Sequence, residues 1–314
     1  MIPSPDPVIV PASYETVPTT HIQVSHYPAG AETATPVVVV TLNRPEKQNA
    51  FTVQMMEDFE KVYPMFDVDE RVKVVVLTGA GKTFCAGADL EIGFDHADRE
   101  RIMDHRDSGG RLALAIYRCR KPTIVAMQGS AVGLGMTMTL PAAIRIAYEK
   151  AKYGFVFARR GITMESSSSF FLPRLIGFSR ASYLLTTGDV YPPNSPHFGH
   201  LFQETLPDAS KVLPRALQLA SNIAENVSPM ASYLNRALMW HNPGSAEATH
   251  LVDSAVLYHM FSARDQKEGV TSFFEKRKPK FQATLEEDAP PNFPWWTEVD
   301  TGSRPKAAKG QSKL

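Results

Sequence analysis

Cysteine is almost missing from this chain: Cys85 and Cys119 are its only thiols in 314 residues. Two cysteines exclude a disulfide framework and a metal site of the paired CxxC kind, and they point to a reducing compartment in which both serve as small core side chains. Net charge is missing as well, with 33 Lys and Arg against 33 Asp and Glu. Without a long block of either sign, nucleic acid and anionic membrane are poor partners, and a small ligand is the better expectation. No apolar run approaches the ~18 residues of a membrane span, and no charged-then-apolar leader opens the chain, so a protein outside the secretory route is expected. His197, His200 and His241 show no ligand spacing, so we expect neither a metal nor a redox cofactor.

What is present is a hydrophobic content of 43%, enough for one substantial core. Residues 1–20, rich in Pro, Thr and Ser, read as a loose arm; 21–212 as the catalytic core; 213–281 as a helical region; and 282–314 as a flexible tail. That tail holds Pro290, Pro291, Pro294, Trp295 and Trp296, and it ends on Ser312-Lys313-Leu314. This tripeptide is the address read by the peroxisomal import receptor, and it places the protein in the peroxisome unless it is a chance match on a disordered end.

Periodicity organises the core. His21–Ser25 and Val37–Leu42 flank a Pro-Ala-Gly turn as paired strands, 51–66 has helical spacing, and Val72–Leu77 reads as a buried strand. A polar helix is expected over 97–117, a strand over 123–127, and a helix from the following glycine loop to about Leu140. Strands over 144–147 and 153–157 and a helix beginning near Glu165 complete an alternating α/β core. Beyond Pro214 the pattern is wholly helical, over 213–225, 229–240, 246–261 and 263–276. Such a layer is a natural surface for self-assembly.

Two loops are built from small residues, Phe84-Cys85-Ala86-Gly87-Ala88-Asp89-Leu90 and Gly129-Ser130-Ala131-Val132-Gly133-Leu134-Gly135. Small side chains let backbone N–H groups approach a ligand closely. Downstream, Glu165 is the single carboxylate in the segment from Gly161 to Pro173. Two N–H-bearing loops and one carboxylate suffice for proton transfer on an acyl group. The plainer reading of Glu165 is a first-turn helix acid, capped by Thr163 and the serine run and worth ~0.3–1 kcal/mol. The plainer reading of the Gly133-Leu134-Gly135 loop is a tight turn before a helix.

Four segments in order carry a resemblance: Leu42 to Ala50 (LNRPEKQNA), the Ala86 to Leu90 loop, Lys121-Pro122-Thr123 leading into Gly129–Gly135, and the helix end Glu275 to Phe281. Over roughly residues 20–282 the chain resembles the enoyl-CoA hydratase/isomerase, or crotonase, superfamily. The resemblance implies a crotonase-like α/β spiral of ββα units with a C-terminal helical trimerisation region, hence a homotrimer or homohexamer. It implies an acyl-CoA thioester as substrate and no separate cofactor. The thioester oxygen would sit between the N–H groups of Ala88 and Leu134, and losing one such donor typically raises the barrier by ~3–4 kcal/mol. Ala86, Gly87, Ala88, Asp89, Leu90 and Lys47 fall at substrate-binding positions, with Asp89 expected to order its own loop. Lys276, Lys278 and Lys280 are further candidates for the CoA phosphates, or simply a solvated helix end.

Within this superfamily the placement of acids decides the reaction. Where hydratases of the family hold two glutamates, this chain has Thr137 and Phe157. Glu165 falls instead where the peroxisomal Δ3,Δ2-enoyl-CoA isomerases carry their single glutamate. The leading expectation is therefore an isomerase in which Glu165 moves a proton from C2 to C4 through a stabilised dienolate, in fatty acid β-oxidation. An enoyl-CoA hydratase or a dual enzyme, in β-oxidation or in a specialised secondary-metabolite, toxin-like acyl-CoA pathway, is the alternative. A non-catalytic acyl-CoA-binding scaffold is the third reading.

Overall fold

Valine builds the centre of the sheet. β1 (Ile22–Tyr27) and β2 (Val37–Leu42) are followed by α1 (Val53–Val68) and β3 (Val74–Gly79), with four consecutive valines in β2 and three in β3. β-branched side chains fit a pleated surface packed on both sides, and every residue of β3 is buried. The computed structural model describes residues 7–92 and 102–302.

The chain continues through α2 (Ser108–Arg118), β4 (Thr123–Met127), β5 (Ala131–Val132), α3 (Leu134–Thr137), β6 (Ile144–Tyr148) and β7 (Tyr153–Gly154). Next come α4 (Ser168–Ile176), α5 (Phe178–Thr187), β8 (Val190–Tyr191) and β9 (Glu204–Leu206). Six strands form one sheet in the order β1-β2-β3-β4-β6-β9, antiparallel between β1 and β2 and parallel thereafter; β5, β7 and β8 form a smaller one. One face of the large sheet is covered by α1, through Met55, Phe59, Val62 and Phe66, together with α2. On the other face lies α6 (Val212–Asn226), which sets Val212, Ala216 and Ala220 against Val39, Val76, Ile124 and Ile146. This is the α/β crotonase-like architecture expected from the sequence.

Several boundaries move for local reasons. β3 starts at Val74 rather than Val72, because the Asp69 carboxylate accepts from the Arg71 backbone and guanidinium and holds 69–72 as a turn. Of the helix expected over 97–117, the described residues show α2 starting at Ser108, where the Asp107 side chain accepts from the Gly110 N–H at 2.6 Å and caps it. Residues 93–101 lie outside the described part of the chain. The strand over 153–157 shrinks to Tyr153–Gly154, and the helix after the glycine loop is the single turn α3.

The C-terminal region follows the expected spacing, as α6, α7 (Pro229–Trp240), α8 (Ala246–Met260) and α9 (Arg264–Glu275). The two ends of the chain depart from expectation. Residues 7–20 are anchored rather than loose: Tyr14 is fully buried and donates to Asp69 at 2.9 Å, and Asp58 accepts the N–H groups of Thr20 and His21. The tail is docked through α10 (Leu285–Asp288) and on to residue 302. Trp295 Nε1 donates to the His241 carbonyl, Trp296 stacks on the His241 ring at 3.7 Å, and Glu286 pairs with Arg120 at 2.6 Å. The tail's composition cannot make a core of its own, but Phe293 and Trp295 join one supplied by Met230, Leu234 and Val256. Ser312, Lys313 and Leu314 lie outside the described residues.

Candidate active site

The loops that leave the C-terminal ends of β3 and β4 are laced together by their backbones. Cys85 and Ala131 form a parallel bridge, and Val132 N–H donates to the Cys85 carbonyl at 3.2 Å. Glycine is required where they touch. A Cβ at Gly87 would lie 2.9 Å from the Val132 oxygen, and one at Gly135 only 2.3 Å from the Cys85 oxygen. Asn49 locks the first loop from beneath, its amide donating to the carbonyls of Ala80 and Thr83 at 2.8 Å each.

This lacing uses backbone groups next to two positions and leaves the N–H groups of those two without an acceptor. Phe51 N–H donates to Gly87 O and Asp89 N–H to Phe51 O, while Gly133 N–H donates to Gly154 O. The N–H of Ala88 between them, and that of Leu134 at the first position of α3, donate to no acceptor among the described residues. A helix-start N–H has no intrahelical acceptor and carries the positive end of the helix dipole. Both positions assigned as the oxyanion hole are therefore free donors.

Glu165 does not begin a helix, as the sequence suggested. It precedes α4, which starts at Ser168, and Ser167 at the cap makes no side-chain capping bond. Two consecutive serines, Ser166 and Ser167, take the left-handed conformation at φ 57° and 52°, a cost on the order of 1 kcal/mol each. The turn swings the acid inward. Thr137 Oγ1 lies 2.5 Å from Glu165 Oε1, and the Ser166 hydroxyl donates to Oε2. Burial pushes the Glu165 carboxyl up to about 7 against the pull of those two hydroxyls, and the negative charge of Asp107 adds to the rise.

Thr137, read from sequence only as a missing carboxylate, is fully buried and supports the acid that is present. Phe157, at the other position, is 5% exposed and supplies no second charged group. Two contributors escaped sequence reasoning. Asp107 accepts from the Ser166 N–H at 3.2 Å as well as capping α2, so it holds the strained turn in place. Gly109 is the floor beneath the acid, since a Cβ there would lie 1.9 Å from Glu165 Oε2. The Asp107-Ser108-Gly109-Gly110 run was a visible signal for a capped helix start with a bare face.

The remaining candidates are more peripheral. Asp89 pairs with Arg44 at 3.0 Å; burial would raise its carboxyl, but Arg44 and the Glu91 N–H outweigh that and hold it below the usual range. It orders its loop. Ala86 N–H donates to the Gln48 carbonyl, Leu90 is exposed, and Lys47 pairs with Glu91 at 2.6 Å on the surface. Lys278 is likewise paired, with Glu225. Burial pushes the Cys85 thiol up to about 12, which makes it inert beside the site. Among the described residues no group of His, Cys, Asp and Glu could hold a metal ion.

A pair of N–H donors with no acceptor among the described residues, on laced loops, and one buried acid are the kinds of group a thioester-enolate site requires. Residues 32–284 match the family model described as enoyl-CoA hydratase/isomerase. The chain belongs to the enoyl-CoA hydratase/isomerase family. Its relatives in that family include enoyl-CoA hydratase AFT3-1 of Alternaria alternata, 50% identical, with the match covering 81% of this chain and 85% of the relative. Mevalonyl-coenzyme A hydratase SIDH of Beauveria bassiana is 32% identical over 77% of this chain and 90% of its own. Among solved structures, a probable enoyl-CoA hydratase/isomerase from Mycobacterium abscessus superposes with a TM-score of 0.75 at 30% identity, covering 84% of this chain and all of that one. Enzymes of the enoyl-CoA hydratase/isomerase family act on CoA thioesters without a separate cofactor, so the acyl-CoA substrate supplies its own handle.

Proposed function

We propose that the protein is an enoyl-CoA hydratase-type enzyme that adds water reversibly across the C2=C3 bond of a 2-enoyl-CoA with Glu165 as its one acid–base group. The observation that carries this reading is the state of Glu165: a carboxyl raised to about 7, seated among hydroxyls. Near neutral pH such a group both accepts and returns a proton readily. In hydration, carboxylate Glu165 takes a proton from water as the water oxygen bonds to C3. The C2=C3 electron pair shifts toward the thioester oxygen, where the N–H groups of Ala88 and Leu134 stabilise the enolate. Protonated Glu165 then delivers its proton to C2.

The names of the relatives put hydration first, whereas the sequence pattern put isomerisation first. Isomerisation stays as the second reading because of one specific observation: positions 137 and 157 hold a threonine and a phenylalanine. With a 3-enoyl-CoA the same carboxylate removes the C2 proton, the dienolate forms in the same hole, and the proton returns at C4. Incubation with a 2-enoyl-CoA and separately with its 3-enoyl isomer separates the readings. Formation of the 3-hydroxyacyl-CoA from the former supports hydration, and double-bond migration alone supports the isomerase. Binding without turnover of either would leave only the scaffold.

The pathway we propose is a specialised acyl-CoA route rather than general β-oxidation. Identity to the Alternaria enzyme is 50%, against 30% to bacterial enoyl-CoA hydratase EchA19 of Mycobacterium tuberculosis. A substrate profile dominated by one branched or functionalised enoyl-CoA would agree with this, and equal turnover of straight chains would not. We further propose peroxisomal residence through Ser312-Lys313-Leu314, and assembly as a trimer or pair of trimers through the C-terminal helices. Leu251, Tyr258, Phe273 and Phe274 are each more than 70% exposed there, which suits a face covered by another copy. A monomer in sedimentation at micromolar concentration would refute the assembly.

A further inference from the structure

The parallel strands also start somewhere, and the place where they start is a cavity of about 790 Å³. Pro122 and Ala143, which directly precede β4 and β6, form part of its wall, so it lies at the opposite end of the strands from the laced loops. α4 and α7 close it. Four arginines line it, Arg120, Arg145, Arg174 and Arg236, and no aspartate or glutamate does.

Arg120 is neutralised from outside the cavity by Asp67 and Glu286. The other three have no carboxylate partner among the described residues. Arg145 is 2% exposed and is held by the carbonyls of Thr139, Ala142 and Leu201 through Nε and Nη1, while its Nη2 donates to nothing among the described residues. Among the described residues Arg236 donates once, to the Cys119 carbonyl, and its remaining N–H groups find no acceptor. Arg174, an exposed side chain at the cavity's edge, lies over the Phe170 ring at 3.8 Å and among the described residues donates only to the Phe170 carbonyl. Burial pulls the Arg145 guanidinium down to about 10, and it lowers that of Arg236 too, where Asp67 and other neighbours pull weakly the other way.

Buried cations are ordinarily paired, and a guanidinium presents a planar fork matched to carboxylate and phosphate oxygens. The rest of the wall is mostly apolar, with Tyr233 and Trp240 as its aromatic parts. We propose that this cavity is a second binding site, which takes a small organic anion whose carboxylate or phosphate head is gripped by Arg145, Arg174 and Arg236 and whose apolar body lies along Tyr233 and Trp240. The site is separate from the one beside Glu165 and does not depend on which reaction occurs there.

The shared chemistry has two sources, a free anion or an acidic side chain of a second copy, and the free anion is favoured by a cavity volume typical of small-molecule pockets and by the partly aromatic wall. Calorimetric titration of the full chain with octyl phosphate and with octanoate tests it, with 1-octanol as the uncharged control. One saturable site per chain is expected for both anions, weakened about tenfold or more by Arg174→Gln or Arg236→Gln. Arg236→Lys should retain part of the affinity, and Glu165→Gln all of it. Equal binding of 1-octanol, no saturable binding, or loss of binding in Glu165→Gln would each overturn the proposal. So would a change of sedimentation state in Arg174→Gln without anion binding in the parent protein, because the arginines would then belong to an interface between copies.

Discussion

The two ends of the same parallel strands solve opposite electrostatic problems. Past β3 and β4 the charge to be stabilised in the proposed reaction is an enolate, and it is met with backbone: two N–H groups left without an acceptor among the described residues, and one acid held near neutrality. Before β4 and β6 the positive charge comes from side chains, three guanidinium groups that pair with no acid among the described residues. Backbone donors are fixed in direction and cannot be lost by a single side-chain change, which suits a transition state. Guanidinium groups are longer and adjustable, which suits a ground-state ligand.

The largest expected effect falls on the single acid. Glu165→Gln should lower turnover by roughly a thousandfold, because the amide keeps the shape but accepts no proton; near-parental turnover would mean that another group is the base. The same variant should be more stable. Glu165 has a folded pKa of about 7 against 4.5, so the stability it contributes is complete below about pH 4.5 and is lost as pH rises through 7. At pH 8 the substitution should therefore gain about 3 kcal/mol in denaturant melts.

Next in size is Gly109→Ala. Its Cβ would collide with the acid at 1.9 Å, and a displacement of about 1 Å typically costs on the order of a hundredfold in kcat. An unchanged kcat would show that the turn carrying Ser166 and Ser167 gives way freely. A smaller effect is the pH response, where kcat/KM should rise through an inflection near 7 as Glu165 ionises. A flat profile from pH 5 to 9 would detach the acid from the rate. Smallest of all, deleting Ser312-Lys313-Leu314 should leave kcat untouched while moving the protein to the cytosol; peroxisomal residence in the truncated form would remove the tripeptide's role.

The backbone end was legible because small residues leave a trace: Gly87, Ala88, Gly133 and Gly135 announce close approach of main chain, and a lone Glu165 in an acid-poor segment stands out. The support beneath it was not, since Asp107 and Gly109 meet Ser166 and Glu165 only through a chain separation of more than fifty residues. The cavity end was invisible for the same reason. Arg145, Arg174 and Arg236 sit in three unrelated elements and look like ordinary surface cations in sequence. Strand and helix order in the core followed from periodicity, whereas the anchoring of residues 7–20 and 282–302 depended on partners such as Asp69 and His241 that no local pattern links to Tyr14 or Trp296.

The hydroxyls around Glu165 have an isotopic consequence. Thr137 and Ser166 are both 0% exposed, so a proton taken from substrate carbon enters a small exchangeable pool, the carboxyl and its two hydroxyl neighbours, before it meets bulk water. In double-bond migration a deuteron removed from C2 should therefore reappear at C4 in part, diluted among that pool. Hydration must import its proton from solvent water and should retain no such memory. The label content of the product reports which carbon the acid last touched, whatever the net equilibrium between the two reactions.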